Sequence, residues 1–267
     1  MPHSFILFIV TKNSLIPSWL APFQITMFIT GYSMILSTLV VQFFYRYFSV
    51  TNPLGLRIFT GKYWILWIFI ITSYGILWSG ISYIFSQPTA NFDMEVQPDL
   101  LSVYQLNRAD YVYMGLQYYS EADKTYNYSA YFSLAAHGAL INIAMNSLIY
   151  FGYKTYKNLN SSFGFSVSPV AKDLQKQLFR TLVFQTAIPT IFMYIPVTCL
   201  YIFPIFCINV GTLSSLAAVH LAMYPCFEPL VALYFIKDFR NWILRKFGMT
   251  GWMATISVQA SNVHTVV

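Results

Sequence analysis

Residues 218–240 read AVHLAMYPCFEPLVALYFIKDFR. A single glutamate, Glu228, stands between Pro225 and Pro229 in an otherwise apolar run, which stops abruptly at Lys237, Asp238 and Arg240. Proline removes a helix hydrogen bond and kinks the backbone. An ionisable side chain in an oily interior is costly. Outward from this stretch the same pattern repeats, long uncharged tracts bounded by charges. No Asp, Glu, Lys or Arg occurs between Lys12 and Arg46, Lys62 and Asp93, Lys124 and Lys154, or Arg180 and Glu228. Only 9% of the 267 residues are charged and 57% are hydrophobic, against roughly 25% charged in an average soluble domain. Such a chain could not cover its own surface in water. A membrane helix needs about 20 mainly apolar residues; each of the first three tracts accommodates one, and the last, extended to Ile236, accommodates two with a turn near Asn209–Gly211. The chain reads as an all-α, polytopic membrane protein with spans at 22–45, 63–86, 130–152, 181–204 and 212–236.

Basic residues flanking the spans give an orientation. Twelve of the fifteen Lys and Arg residues fall in 46–62, 153–180 and the C-terminal tail, whereas 87–129 holds Arg108 and Lys124 against six acids. The pattern predicts an outside N-terminus, an inside C-terminus and an odd number of crossings. The net charge of +6 is thus an orientation signal, not a nucleic-acid surface.

Smaller features fill in the picture. The apolar decapeptide at the start is too short to span and reads as the end of a crossing. Span one carries Gly31, Ser33, Ser37 and Thr38, small and hydroxyl residues that let helices approach, and ends in Tyr45-Arg46-Tyr47. Arg46 taken alone reads equally as a snorkelling anchor. Span three carries Asn142 and Asn146 on one stripe, expected to face the bundle interior, and His137, expected as a hydrogen-bonded interior residue. Span four continues a basic helical extension from Val170 and contains Pro189, Pro196 and Pro204; Pro189 and Pro196 are kink candidates. His220, Tyr224 and Glu228 recur every four residues as a polar seam. "KDFRNWILRKFG" predicts an interfacial amphipathic helix over 237–247, followed by a tail, 249–267, with no assigned structure. Asn127-Tyr128-Ser129 is a possible glycosylation sequon on the outer side, close to span three. Cys199, Cys207 and Cys226 read as packing residues; Cys199 and Cys207 are separated by about 12 Å of helix, too far for a disulfide.

Three stretches, FFYRYFSVTNP, LQKQLFRTLVFQTAIPTIFMYIPV and YPCFEPLVALYFIKDFR, resemble the nematode seven-transmembrane chemoreceptors of serpentine receptor class r (Str) type. That family shows a Tyr-Arg-Tyr-like end to span three, Gln-Thr-x-x-Pro in span six and Tyr-Pro-x-x-Asp-Pro in span seven. The resemblance runs to about Phe247 and equates the five spans with spans three to seven, making residues 1–248 a truncated rhodopsin-like bundle lacking its first two crossings. It implies a G-protein-coupled chemosensory receptor, olfactory in type, in the plasma or ciliary membrane of sensory neurons. Its partners would be a small odorant-like molecule and a heterotrimeric G protein. Tyr45, Arg46 and Tyr47 then stand at the inner switch facing the G protein; Tyr224, Pro225, Glu228 and Pro229 stand at the span-seven switch, with Glu228 replacing the family's aspartate. Ser33, Ser37, Asn142, Asn146 and His220 could orient a ligand. The truncation is an expectation of a shortened gene model, splice form or degenerate copy.

A transporter or channel that uses Glu228 is the alternative, since proline-broken helices and a midplane acid suit ion coupling; against it stand the lack of an internal repeat and a single intramembrane acid. No cofactor motif, metal-ligand spacing or catalytic constellation is present, and an enzyme is not expected.

Overall fold

The computed structural model describes residues 3–208 apart from 16, 121–122 and 162–168, then 211, 216, 219, 223, 226, 227, 229–231, 233, 234 and 236–246. Four helices are long and apolar enough to cross a membrane: Ser18–Thr51, Gly61–Phe85, Tyr128–Leu159 and Asp173–Phe206. Each overlaps one of the first four expected spans. The fifth, 212–236, lies largely outside the described residues.

The central helix is α1 (Ala21–Thr51). Leu36, Leu39 and Phe43 on it share one core with Ala144, Leu148 and Leu159 of α4 (Tyr128–Ser161) and with Phe179 and Leu182 of α5 (Pro169–Pro189). It ends where the residue before a proline is pushed out of the helical region: Asn52 adopts φ −146° and ψ 82°. The Asn52 Oδ1 then accepts from Gly55 N–H at 3.1 Å, turning the chain toward α2 (Trp64–Phe85). Helix α2 packs closely on α1 at Gly75, where a Cβ would lie 2.7 Å from Met34 Cγ. Small residues allow this approach between membrane helices.

The fourth crossing is one rod in several pieces. Helix α5 stops at Pro189, a π-helical turn follows over Thr190–Tyr194, and α6 (Ile195–Ile202) resumes with Pro196 in its first turn. Proline at 196 has no N–H to offer and its ring crowds the preceding turn. The wider π turn relieves that crowding, and Ile195 N–H donates to Thr190 O. Single π turns in α-helices occur often at functional sites.

One expectation is corrected at the other end of the bundle. The N-terminal decapeptide is not the end of a crossing: Ser4–Val10 is a strand, β1, paired antiparallel with β2 (Tyr111–Gln117) from Ser4↔Gln117 to Val10↔Tyr111. The acidic segment 87–129 is folded, and it adds short strands to a mostly helical protein. It forms α3 (Ala90–Tyr104), β2, and a short hairpin of β3 (Tyr119–Ser120) and β4 (Thr125–Tyr126). Phe92, Val96 and Leu100, four apart on α3, pack with Tyr111 and Tyr113 of β2 and with Ile6 and Phe8 of β1. On the opposite face of β1, Phe5 lies against Tyr201 of α6 with ring centroids 4.7 Å apart. The sheet is therefore apolar on both sides, sandwiched between α3 and the bundle, and forms a folded cap.

Candidate functional site

Between cap and π turn lies a cluster of aromatic residues drawn from four crossings. Tyr32 of α1 contacts Tyr194 of the π turn at 5.3 Å and Trp78 of α2 at 6.3 Å. Trp78 contacts His137 of α4 at 4.8 Å, and His137 contacts Tyr201 of α6 at 6.0 Å. His137 is 3% exposed. Its Nε2 lies 3.0 Å from Ser82 Oγ and 3.3 Å from Trp78 O, and its Nδ1 lies 2.8 Å from Ser133 O. This is the interior, hydrogen-bonded histidine expected from the sequence; it clamps α2 to α4. Tyr74 adds a second clamp, its hydroxyl donating to Leu140 O at 3.2 Å.

The cap is tied to this cluster and to itself. The Tyr118 hydroxyl donates to Tyr201 O at 3.0 Å. Asp93 of α3 accepts from the Tyr113 hydroxyl at 2.8 Å and pairs with Arg108 Nε at 3.0 Å. The Arg108 guanidinium sits over the rings of Tyr111 and Tyr113, at 5.3 and 5.5 Å. Burial, and then the Asp93 carboxylate, push the Tyr113 phenol well above its ordinary range; burial does the same to Tyr118. Asp110 is held below the usual carboxylate range by the Asn107 backbone N–H and, secondarily, by Lys12. Lys12 Nζ lies 3.5 Å from Asp110 Oδ2, joining the chain after β1 to the start of β2. The Asp93–Arg108–Tyr113 cluster escaped the sequence reading because its members come together only once α3 and β2 fold against each other.

Arg46 lies near the far end of α1, some 25 residues along from Ala21, or about 37 Å of helix. Its Nη1 donates to Gln175 Oε1 on α5 at 3.1 Å, and its Nε is buried without a partner among the described residues. Tyr45 is 41% exposed, and the guanidinium lies 6.0 Å from its ring. Tyr47 turns toward Phe151 of α4, 5.7 Å away. Arg46 thus borders the Tyr45 ring while Tyr47 faces α4, and of the three it is Arg46 that bridges two crossings by a hydrogen bond.

Of the group around Glu228, Tyr224, Pro225 and Glu228 lie outside the described residues, as does His220; Pro229 is exposed. Neighbouring Phe227 stacks on Phe192, 5.4 Å between centroids and 19° between planes. The candidate ligand-facing polar residues divide. Ser33 and Ser37 are buried, but each hydroxyl donates to a carbonyl of its own helix, Thr30 O at 2.9 Å and Met34 O at 3.0 Å. Asn142 and Asn146 do not face the described interior: they are exposed and donate to Gly138 O and Asn142 O of α4 itself. Such local bonds let an amide survive on an apolar surface without an interhelical partner. Asn127 precedes α4, and its Oδ1 accepts from Ser129 Oγ at 2.8 Å and Ala130 N–H at 3.4 Å, the pattern of a helix cap. Cys199, Cys207 and Cys226 are free thiols; Cys207 Sγ lies 3.5 Å from His3 Nδ1. The terminal helix spans Lys237–Lys246.

Three apolar crossings packed on the central helix α1, an aromatic interior under a folded cap, and a proline joint in one crossing make this a helical multi-pass membrane protein. The chain belongs to the serpentine type 7TM GPCR chemoreceptor Str family, whose model it matches over residues 2–244. It is 31% identical over 211 residues to serpentine receptor class r-10 of Caenorhabditis briggsae, covering 78% of this chain and 61% of that protein. It is likewise 31% identical over 206 residues to serpentine receptor class r-10 of Caenorhabditis elegans, covering 76% and 60% respectively. A third relative is the G-protein coupled receptor str-217 of Caenorhabditis elegans, 31% identical over 215 residues, with 79% and 60% covered. The chain thus spans about 60% of the length of the curated relatives it matches. No solved structure matches it significantly.

Proposed function

We propose that this chain is the ligand-sensing and signalling part of a nematode olfactory-type chemoreceptor that couples to a heterotrimeric G protein. The five crossings correspond to spans three to seven within residues 1–248, and 249–267 forms a cytoplasmic tail. The cap lies outside and the basic end inside, as the distribution of Lys and Arg favours, in the plasma or ciliary membrane of sensory neurons. A small odorant-like molecule binds at the aromatic cluster beneath the cap and acts through its differential affinity for two arrangements of the helices.

The observation that carries this reading is the 3.1 Å bond between Arg46 and Gln175 on a crossing that contains the π turn at Thr190–Tyr194. Gln175 lies about 14 residues, or roughly 21 Å, from the joint at Pro189. A pivot of about 10° there displaces Gln175 by about 4 Å at that lever arm, which breaks the bond and uncovers Arg46, with Tyr45 and Tyr47 beside it, for the G protein. Tyr224, Pro225, Glu228 and Pro229 supply a second joint in the last crossing, since prolines there free carbonyls that neighbouring groups can satisfy.

The test is nucleotide exchange on a heterotrimeric G protein in membranes that carry the chain, scanned with a library of small volatile organic molecules. Gln175→Leu is expected to raise basal exchange several-fold, and Arg46→Gln to abolish both basal and ligand-driven exchange. If both variants behave as the parent while the same membranes carry a Glu228-dependent ion flux, the receptor reading is wrong.

A further inference from the structure

Between the fourth crossing and the last one, toward the basic end of the bundle, an open cleft of about 520 Å³ is lined by Phe184, Ile188, Phe227, Leu230, Val231 and Tyr234. The Phe192–Phe227 stack stands beside one end of it. From Phe227 to Tyr234 the cleft runs for about 10 Å of helix. Phe184, Leu230 and Tyr234 are 48%, 57% and 65% exposed. In a chain that lives in a bilayer, such an apolar, laterally open cleft is in contact with acyl chains.

What distinguishes this cleft from ordinary lipid-facing surface is its other end. Arg240 Nη1 donates to Tyr234 O at 3.3 Å, so the first turn of the terminal helix is fastened to the mouth of the cleft. That helix carries Lys237, Arg240, Arg245 and Lys246 against a single acid, Asp238. Trp242 on the same helix is 60% exposed, and Lys246 Nζ lies 4.9 Å from its ring. An aromatic on an amphipathic helix sits at headgroup depth. Basic residues there attract anionic headgroups, and basic pockets between crossings hold them.

We propose that the cleft and the first turn of the terminal helix form a binding site for one anionic phospholipid, its acyl chain against Phe184, Leu230 and Val231 and its headgroup on Arg240. Charge complementarity selects the occupant: the apolar walls accept any acyl chain, and the basic helix at the mouth selects a negative headgroup. Because the site joins the jointed fourth crossing to the last one, an occupant there holds the two together. Lipid binding is read out without any G protein, so its failure is distinguishable from failure of the receptor reading.

The experiment uses the whole chain purified into nanodiscs that contain equal amounts of photoactivatable phosphatidylserine and phosphatidylcholine, each bearing a diazirine on the acyl chain, with labelled peptides mapped by mass spectrometry. Labelling of 184–188 and 227–234 by phosphatidylserine is expected to exceed that by phosphatidylcholine about fivefold for each basic residue engaged. Arg240→Gln should reduce the preference by about fivefold without reducing phosphatidylcholine labelling. Leu230→Trp, which fills the cleft, should reduce labelling by both lipids; monodispersity on size exclusion shows that each variant is folded. The parent comparison of two lipids needs no variant. Equal labelling by the two lipids overturns the proposal, as does labelling unaffected by Leu230→Trp. Loss of cleft labelling in a chain extended to the length of its relatives also overturns it, because further protein would then be the occupant.

Discussion

Gly115 is the residue at which the cap is most sharply testable. It stands opposite Ile6 in the β1–β2 pairing, and its own N–H donates to Ser86 O at 2.9 Å. A Cβ built there would lie 2.4 Å from Phe5 O, 2.8 Å from Ile6 Cγ2 and 3.1 Å from Ile6 Cα. Two of these three atoms are backbone and cannot rotate aside. In an ordinary strand Gly→Ala is favourable by about 0.5–1 kcal/mol, since glycine loses more freedom on ordering. Here overpacking costs about 1–3 kcal/mol, so Gly115→Ala should destabilise the pairing by about 1.5 kcal/mol net, opposite in sign to the generic effect. That corresponds to about tenfold faster amide exchange for openings of β1 and β2. Hydrogen–deuterium exchange of the nanodisc-embedded protein reads this directly in peptides covering 4–10 and 111–117. Gly138→Ala is the control, because nothing lies within 4 Å of a Cβ there and the helix gains by the change, by about 1 kcal/mol. Unchanged or slower exchange in Gly115→Ala would mean that β1 does not pair as described.

Further outcomes are expected elsewhere. His137→Phe keeps an aromatic ring but removes the contacts to Ser82, Trp78 and Ser133, and should lower the stability of the purified protein by about 1–3 kcal/mol, seen as a lower melting temperature by tryptophan fluorescence. The Tyr113 phenol is raised by burial and by Asp93, so its stabilisation is complete below the ordinary tyrosine value of about 10 and is lost as pH rises above it. Peptides covering 90–117 should therefore lose protection above about pH 10 in the parent, and less steeply in Tyr113→Phe. Asp110 is lowered by the Asn107 N–H, so its contribution is present above the ordinary carboxylate value and is lost as pH falls through its own lower value. Asp110→Asn should flatten the acid limb of the same exchange profile. Asn127→Gln should lengthen the side chain out of its capping geometry and cost about 0.5–2 kcal/mol in the first turn of α4. Endoglycosidase treatment should leave the gel mobility of the parent unchanged, because Asn127 directly precedes the crossing helix α4 and so lies too close to the membrane for the glycosylation machinery.

The amino-acid sequence determined the solvent, four of the crossings and the prolines that divide the fourth. Those properties are local: a crossing is a tract of about 20 apolar residues, and a proline has no N–H wherever it stands. Even α3 carries its own signal, an apolar stripe at Phe92, Val96 and Leu100 behind a capping Thr89, although the surrounding acids and tyrosines obscure it. Tertiary structure alone decided the fate of residues 4–10. A strand enclosed on both faces reads as a continuous apolar run, so SFILFIV carries the same local pattern as a membrane fragment until its partner, more than a hundred residues away, is in place. The same limit hid the Asp93–Arg108–Tyr113 cluster, the Arg46–Gln175 bond, and the outward turn of Asn142 and Asn146. In each case the deciding interaction, or its absence, is between separate elements, and no spacing along one segment encodes it.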